Sequence, residues 1–210
     1  MSERGRPRSF DRDKALERAM EVFEIKGYDG ASMTDLTRAM GINSPSLYAA
    51  FGCKEALFCE AVELYAQKGA FLWEGIFRAP TAKAAIAHLL RQSAVAYTRP
   101  DKAPGCLILM GVLHGDDDDN GPLRMLRKHR AGNHRTLCER LERAVAEGEL
   151  PQGLDCAAVA SFYLAVQQGI AFQSRDGVPR ETLLRVAESA LAGWDGLISA
   201  HAVREPEMSW

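Results

Sequence analysis

Residues Ser32 to Phe51, SMTDLTRAMGINSPSLYAAF, read as two short helices meeting at a glycine corner. Ser32 and Asp35 have the Ser-x-x-acid spacing of a capping box, and Leu36, Ala39 and Met40 then fall on one helical face. Gly41 supplies the left-handed residue that ends this helix. Ile42 points back between the helices, and Asn43 is a good N-cap for a second helix that has Pro45 in its tolerant first turn. Leu47 and Phe51, four apart, give that helix a buried stripe. Ser44, Ser46, Tyr48 and Ala49 lie on its other face, small or hydroxylic, and suit a DNA groove. The pattern is a helix-turn-helix signature, and the competing reading of the same spacing is a structural corner within a helical core.

The residues on either side favour the first reading. Arg4, Arg6 and Arg8 alternate with Gly5 and Pro7 in an N-terminal arm of the kind that reaches into a minor groove; without the neighbouring motif it would read as a solvated tail. Asp11 caps a helix running to about Lys26, with Leu16, Ala19, Met20 and Phe23 at helical spacing and Gly27 closing it. Tyr28, Met33, Leu36, Ile42, Leu47 and Phe51 complete one small shared core. After Gly52 and Cys53, a fourth helix is expected from Lys54 to about Phe77, with Leu57, Phe58, Ala61, Leu64 and Tyr65 on its apolar face.

The order helix, SMTDLTRAMGI turn, NSPSLYAAF, then GCKEALF opening a long helix resembles the tetracycline-repressor (TetR) family of transcriptional regulators. The match covers roughly residues 8 to 65, and the remaining two-thirds carries no comparable motif. The resemblance implies that Tyr48 and Lys54 contact phosphates, and that Thr34, Ser44, Pro45, Ser46 and Ala49 lie where base or backbone contacts occur. Asn43 belongs to the same DNA-facing set. Pro45 and Ala49 offer no side-chain hydrogen bond to a base edge, so reading there falls to apolar contact with thymine methyls and to the arginines of the arm. Cys53 stands at the N-cap of the fourth helix, where the family usually has a better capping residue such as serine. A thiol at a helix N-terminus beside Lys54 is also a candidate redox switch, against the plainer reading of an inert, mediocre cap.

Further along, Thr81 to Tyr97 reads as a helix with Ile86, Leu89, Leu90 and Val95, and Cys106 to Leu113 as a buried helix or one wall of a cavity. The run His114-Gly-Asp-Asp-Asp-Asp-Asn120 invites a metal hypothesis, but no EF-hand glycine and glutamate follow, and a solvated acidic loop is the preferred reading. His129 and His134 are expected to be ordinary exposed residues. A helix from about Gly121 to Ala146 stops at the Gly148 and Pro151 region. Asp155 to Phe172 and Arg180 to Ile198 are apolar around more than one stripe. Such a helix has a second buried face, and the resemblance implies that this face pairs with its copy in a dimer; burial in a monomer's core is the alternative. The interface set is Val159, Phe162, Tyr163, Val166, Ile170, Leu191 and Trp194.

The expected fold is therefore all-α, with a helix-turn-helix DNA-binding domain and arm over residues 1–53, a helical ligand-binding and dimerisation bundle over 54–201, and a tail over 202–210. Phe58, Tyr65, Phe71, Trp73, Leu90, Tyr97, Cys106, Leu109, Met110 and Leu113 are candidates to line an apolar pocket, with Tyr97 or His114 as polar handles. Expected partners are double-stranded operator DNA, a small, largely apolar effector and a second copy of the chain. No cofactor or metal is expected.

A chain of 210 residues, 47% hydrophobic, can bury a substantial core, and its net charge of −2 decides little because a regulator needs only a local basic footprint. The five cysteines are scattered without a C-x-x-C pair, which supports neither a disulfide framework nor a zinc knuckle. No run approaches a membrane span, and MSERGRPRSF lacks a signal peptide's apolar segment, so a cytoplasmic protein is expected. Two other functions compete with a ligand-responsive repressor: a helical adaptor for protein contacts, and a helical metal-dependent enzyme. The enzyme reading lacks a nucleophile with a neighbouring base, a phosphate loop and a credible ligand set.

Overall fold

Asp11 opens the first helix as its N-cap, its carboxylate accepting the backbone N–H groups of Asp13 and Lys14. The computed structural model describes residues 10–111 and 121–202, and among these it is all-α, with eleven helices and no strand. Helix α1 (Arg12–Gly30) buries Ala15, Ala19, Met20 and Phe23 on one face. At Gly27 the backbone leaves the helical region (φ 68°), so the first helical run ends at Lys26 and one further turn follows. A glycine is required there twice over. The φ is one that L side chains rarely adopt, and an added Cβ would lie 3.0 Å from the Gly111 carbonyl oxygen.

Helices α2 (Met33–Met40) and α3 (Ser44–Phe51) follow, separated by Gly41 in the left-handed region, and α4 (Lys54–Lys68) returns along α1. Leu36, Leu47, Leu57 and Phe58 are fully buried between these four helices. Each contributes about 1.5–3 kcal/mol of transfer free energy, which is what holds three short helices that would be marginal alone.

The long fourth helix expected from the sequence is broken. Gly69, in the bridge region, donates to the Tyr65 and Ala66 carbonyls, and α5 (Ala70–Arg78) sets off on a new axis that lays Leu72 and Ile76 into the core. Thr81 caps α6 (Ala82–Tyr97), the most buried helix of the larger bundle. The apolar run after Cys106 forms only the one-turn α7 (Leu107–Met110). Helices α8 (Gly121–Ala146) and α9 (Cys156–Arg175) match the expected spans closely, and the last expected helix divides at Gly193 into α10 (Arg180–Ala192) and α11 (Trp194–His201). The acidic run ahead of α8 and the end of the chain lie outside the described residues. No described helix is long and apolar enough to cross a membrane.

A buried arginine reaches an acidic partner at the surface of this bundle. Arg140 on α8, 3% exposed, donates through Nε to the Ile76 carbonyl and through Nη2 to the Ala79 carbonyl, at the end of α5. Its partner Glu149 lies 3.8 Å away and accepts the Ala82 N–H at the start of α6. A cation thus meets a helix C-terminus and a carboxylate meets a helix N-terminus, each the favourable sign for the dipole. Replacing Arg140 with Leu leaves the Ile76 and Ala79 carbonyls without their partner, and should lower unfolding stability by about 1–3 kcal/mol in urea titration. A loss under 1 kcal/mol would show that water replaces the guanidinium.

Candidate functional site

The corner of α2 and α3 is built from short-range hydrogen bonds. Ser32 Oγ accepts the Asp35 N–H at 3.0 Å while the Asp35 carboxylate accepts the Ser32 N–H at 3.1 Å, completing the capping box. Lys26 reaches the same carboxylate at 2.8 Å and ties the end of α1 to the start of α2. Asn43 Oδ1 accepts the Ser46 N–H at 2.9 Å and starts α3. With Leu47 and Phe51 buried, α3 turns Ser44, Pro45, Tyr48 and Ala49 to solvent, Tyr48 being 51% exposed. Ser46 is half-buried, Asn43 is exposed, and Thr34 stands exposed on α2.

Two cations at this head have packing partners. Arg12 donates to Glu60 at 2.7 Å and to the Ala50 carbonyl at 3.3 Å, and its guanidinium lies 4.3 Å from the Phe51 ring centroid. It locks α1, α3 and α4 together. Lys54 Nζ lies 4.4 Å from the Tyr28 ring centroid, and burial lowers its pKa from the ordinary lysine value. Cys53 stands at the N-cap of α4, where its sulfur accepts the Ala56 N–H at 3.4 Å. Arg4, Arg6 and Arg8 lie outside the described residues.

A cavity of about 140 Å³ opens where α1, α4, α5, α6, the 99–106 loop, α7, α8 and α9 approach one another. Tyr65, Phe71, Trp73, Tyr97, Cys106 and Leu109, all expected from the sequence, are on its wall. Three expected residues are not. Phe58 is fully buried edge-on between Phe23 and Tyr28, with ring centroids 5.0 and 5.1 Å away, and serves the contact of α4 with α1. Leu90 is fully buried in the core two turns before Tyr97, and Met110 packs half-buried while Ile108 and Leu109 take the cavity side of the single turn of α7. Leu113 and His114 lie outside the described residues.

Polar wall residues escaped the sequence reading. Gln167 of α9 is buried and donates to Ser93 Oγ at 2.9 Å, and a glutamine within so apolar a helix was a signal to look inward. His129 was expected to be exposed but is half-buried on the wall, its Nε2 3.4 Å from a Glu63 carboxylate oxygen. His134, also expected exposed, is half-buried and bonds Ser161 Oγ at 3.0 Å. Glu24 of α1 reaches the wall as well, and burial raises its pKa from the ordinary carboxylate value. Lys68, Arg99 and Lys102 are exposed at the mouth; Lys68 pairs with Glu17 at 2.6 Å and Arg99 with Asp101 at 2.6 Å.

The expected interface set divides. Val159, Tyr163, Ile170, Leu191 and Trp194 are buried within the single chain, because the faces of α9, α10 and α11 that carry them pack on one another and on α6. The Tyr163 and Trp194 rings pack at a tilt of 32°, their centroids 5.7 Å apart. Phe162, 43% exposed, and the half-buried Val166 remain accessible, and Phe172, 45% exposed, extends the same side of α9.

A helix-turn-helix head joined to a helical body with an internal cavity is matched by two family models: bacterial regulatory proteins, tetR family, over residues 15–61, and tetracyclin repressor-like, C-terminal domain, over residues 82–198. The chain belongs to the TetR family of transcriptional regulators. It is 32% identical over 197 residues to the HTH-type transcriptional repressor ComR of Escherichia coli K12, covering 93% of this chain and 94% of that protein. It is 31% identical over 191 residues to the repressor BdcR of the same organism, covering 90% of each. Among solved structures, a cysteine mutant of the TetR-family regulator CifR, complexed with 26-base-pair operator DNA, superposes with a TM-score of 0.86 at 43% identity, covering 90% of this chain and all of that one. These relatives are regulators, not enzymes.

Hydrogen bonds from Lys26 and from Ser32 hold the Asp35 carboxyl well below its ordinary value of 3.8. A depressed folded-state pKa contributes stability that is present above the unfolded value and lost as pH falls through the folded one. Asp35→Asn should therefore destabilise the helix-turn-helix at neutral pH, with the gap to the parent closing as pH drops below 3.8. A gap independent of pH in thermal melts would mean that the cap acts through shape alone.

Proposed function

We propose that this TetR-family regulator is a repressor that binds palindromic operator DNA as a homodimer and is released by a small, largely apolar effector held in the cavity. In this reading residues 1–53 are the DNA-reading unit, 54–201 the effector and dimer unit, and 202–210 a tail. Arg4, Arg6 and Arg8 enter the minor groove, Tyr48 and Lys54 meet phosphates, and Thr34 and the Asn43–Ala49 face read bases and backbone. The protein acts in the cytoplasm, where its operator is.

The observation that supports release most directly is that the cavity and the reading head share a residue. Glu24 lies on the cavity wall, yet it belongs to α1, and Arg175 of α9 donates to the Glu24 and Ile25 carbonyls at the end of that helical run. Tyr28 donates its N–H to the Gly111 carbonyl at 2.8 Å, a second tie between head and body. An effector that moves the wall around Glu24 therefore moves α1 and the α4 packed along it. Two heads on a palindrome must present their α3 helices about 34 Å apart, one turn of DNA, so a tilt of α1 and α4 spoils the spacing.

The dimer surface in this reading is the outer side of α9, where Ala158, Phe162, Ala165, Gly169 and Phe172 recur at helical spacing and small residues allow close approach of a second α9. Its occupant is a second copy of the chain, because a palindromic operator demands two-fold symmetry. Phe162→Glu should yield monomers in sedimentation and abolish operator binding together. A variant that stays dimeric and binds normally would move the interface elsewhere.

For the head, Lys54→Ala should weaken binding to operator and random DNA alike and reduce the salt dependence by about one counterion. Replacement of Ser46 should instead change preference among operator variants. Anisotropy titrations against an operator selected from random duplexes separate the two, and equal losses on specific and random DNA for the Ser46 variant would remove it from the reading face.

A further inference from the structure

The ionisable groups around the cavity are matched unevenly. Lys68 pairs with Glu17 and Arg99 with Asp101, each at 2.6 Å, and His129 Nε2 lies 3.4 Å from a Glu63 carboxylate oxygen. Each of these basic groups therefore has a carboxylate of its own. Glu24 and Lys102 remain on the wall, and among the described residues neither side chain makes a hydrogen bond or an ion pair. They differ in what water can do for them. Lys102 is exposed at the mouth, where solvent serves its ammonium. Glu24 is only 9% exposed, and burial raises its pKa from the ordinary carboxylate value, as expected of a carboxylate short of compensation. The charge of Lys102 opposes that rise without forming a pair.

The rest of the wall suits an organic cation. Tyr65, Phe71, Trp73 and Tyr97 bring aromatic rings to a space of about 140 Å³. Aromatic faces attract ammonium groups and also offer apolar contact to a hydrocarbon. The volume is close to that of a dry, apolar engineered cavity of about 150 Å³ that takes up benzene. A bare metal ion fits poorly, since among the described residues no group of three His, Cys, Asp or Glu side chains could hold one.

We propose that the effector is a small hydrophobic amine, about the size of a monosubstituted benzene, whose protonated nitrogen pairs with the Glu24 carboxylate while its ring lies among Tyr65, Phe71, Trp73 and Tyr97. This rests on the reading of the cavity as the effector site, and it gives that largely apolar effector one charged end. It also makes the reading head itself part of the effector site. Glu24 belongs to α1, and Arg175 donates to its carbonyl and to that of Ile25. An ammonium drawn to the Glu24 side chain therefore acts on the residue whose backbone ties head to body.

The test is calorimetry on the full chain at neutral pH with four probes: benzylamine, benzyl alcohol, benzoate and methylamine. Benzylamine should bind most tightly, exceeding its uncharged isostere benzyl alcohol by about tenfold or more, the usual effect of a hydrogen bond to a charged group. Benzoate, which has the wrong charge, and methylamine, which has no ring, should both bind more weakly than benzylamine. Glu24→Gln keeps the side chain's size and should bring benzylamine down to the affinity of the alcohol while altering benzyl alcohol little, a split that damage to the cavity would not produce. The four-probe comparison needs no variant and stands even if this one is unstable. Benzylamine that binds no better than benzyl alcohol would mean that Lys102 or water already satisfies Glu24, and would overturn the proposal. Tightest binding by benzoate, or an unchanged preference for benzylamine in Glu24→Gln, would overturn it as well. Operator anisotropy in the same solutions tests the underlying reading separately. Benzylamine that binds with the stated pattern but leaves the DNA complex intact would sink release by this cavity and not the ligand class. Release by benzoate or benzyl alcohol with benzylamine inert would do the reverse.

Discussion

The last carbonyls of every α-helix lack partners within the helix, and a bundle of many short helices has many such ends to satisfy. In this chain arginines from the later helices meet them. Arg175 takes the Glu24 and Ile25 carbonyls of α1, Arg130 the Ile108 carbonyl in α7, Arg140 the Ile76 and Ala79 carbonyls around the end of α5, and Arg180 the Thr98 carbonyl and hydroxyl at the end of α6. A guanidinium can serve two acceptors at once in a fixed fork, so each contact fixes direction as well as distance. Without these contacts the glycine breaks at Gly69 and Gly27 would leave short helices free to pivot.

The Arg175 contact differs from the others in what it joins. Arg140 and Arg180 bind elements within the body, whereas Arg175 spans 151 residues of sequence to hold the first helix of the reading head. Together with the Tyr28 to Gly111 hydrogen bond and the Phe23, Phe58 and Tyr28 ring cluster, it makes the head's orientation depend on α9, α7 and α4. Those same elements supply cavity wall. Cavity and head share a boundary at Glu24.

Much of the architecture was legible because it is encoded locally. The capping box at Ser32, the corner at Gly41, the caps at Asp11 and Asn43, the helix starts at Thr81 and Asp155, and the spans of α8 and α9 follow from residues a few positions apart. Gly69 and Gly193 were read through because neither adopts the left-handed φ that marks a stop; both sit in the bridge region, where a glycine leaves no pattern. The cavity was legible as a set of aromatic residues and not as a place. Helical phase sent Phe58 and Leu90 inward to other neighbours, and the polar wall came from Glu24, His129 and Gln167, which lie far apart in sequence. Hydrophobicity alone likewise did not separate residues packed within the chain, such as Tyr163 against Trp194, from accessible ones such as Phe162.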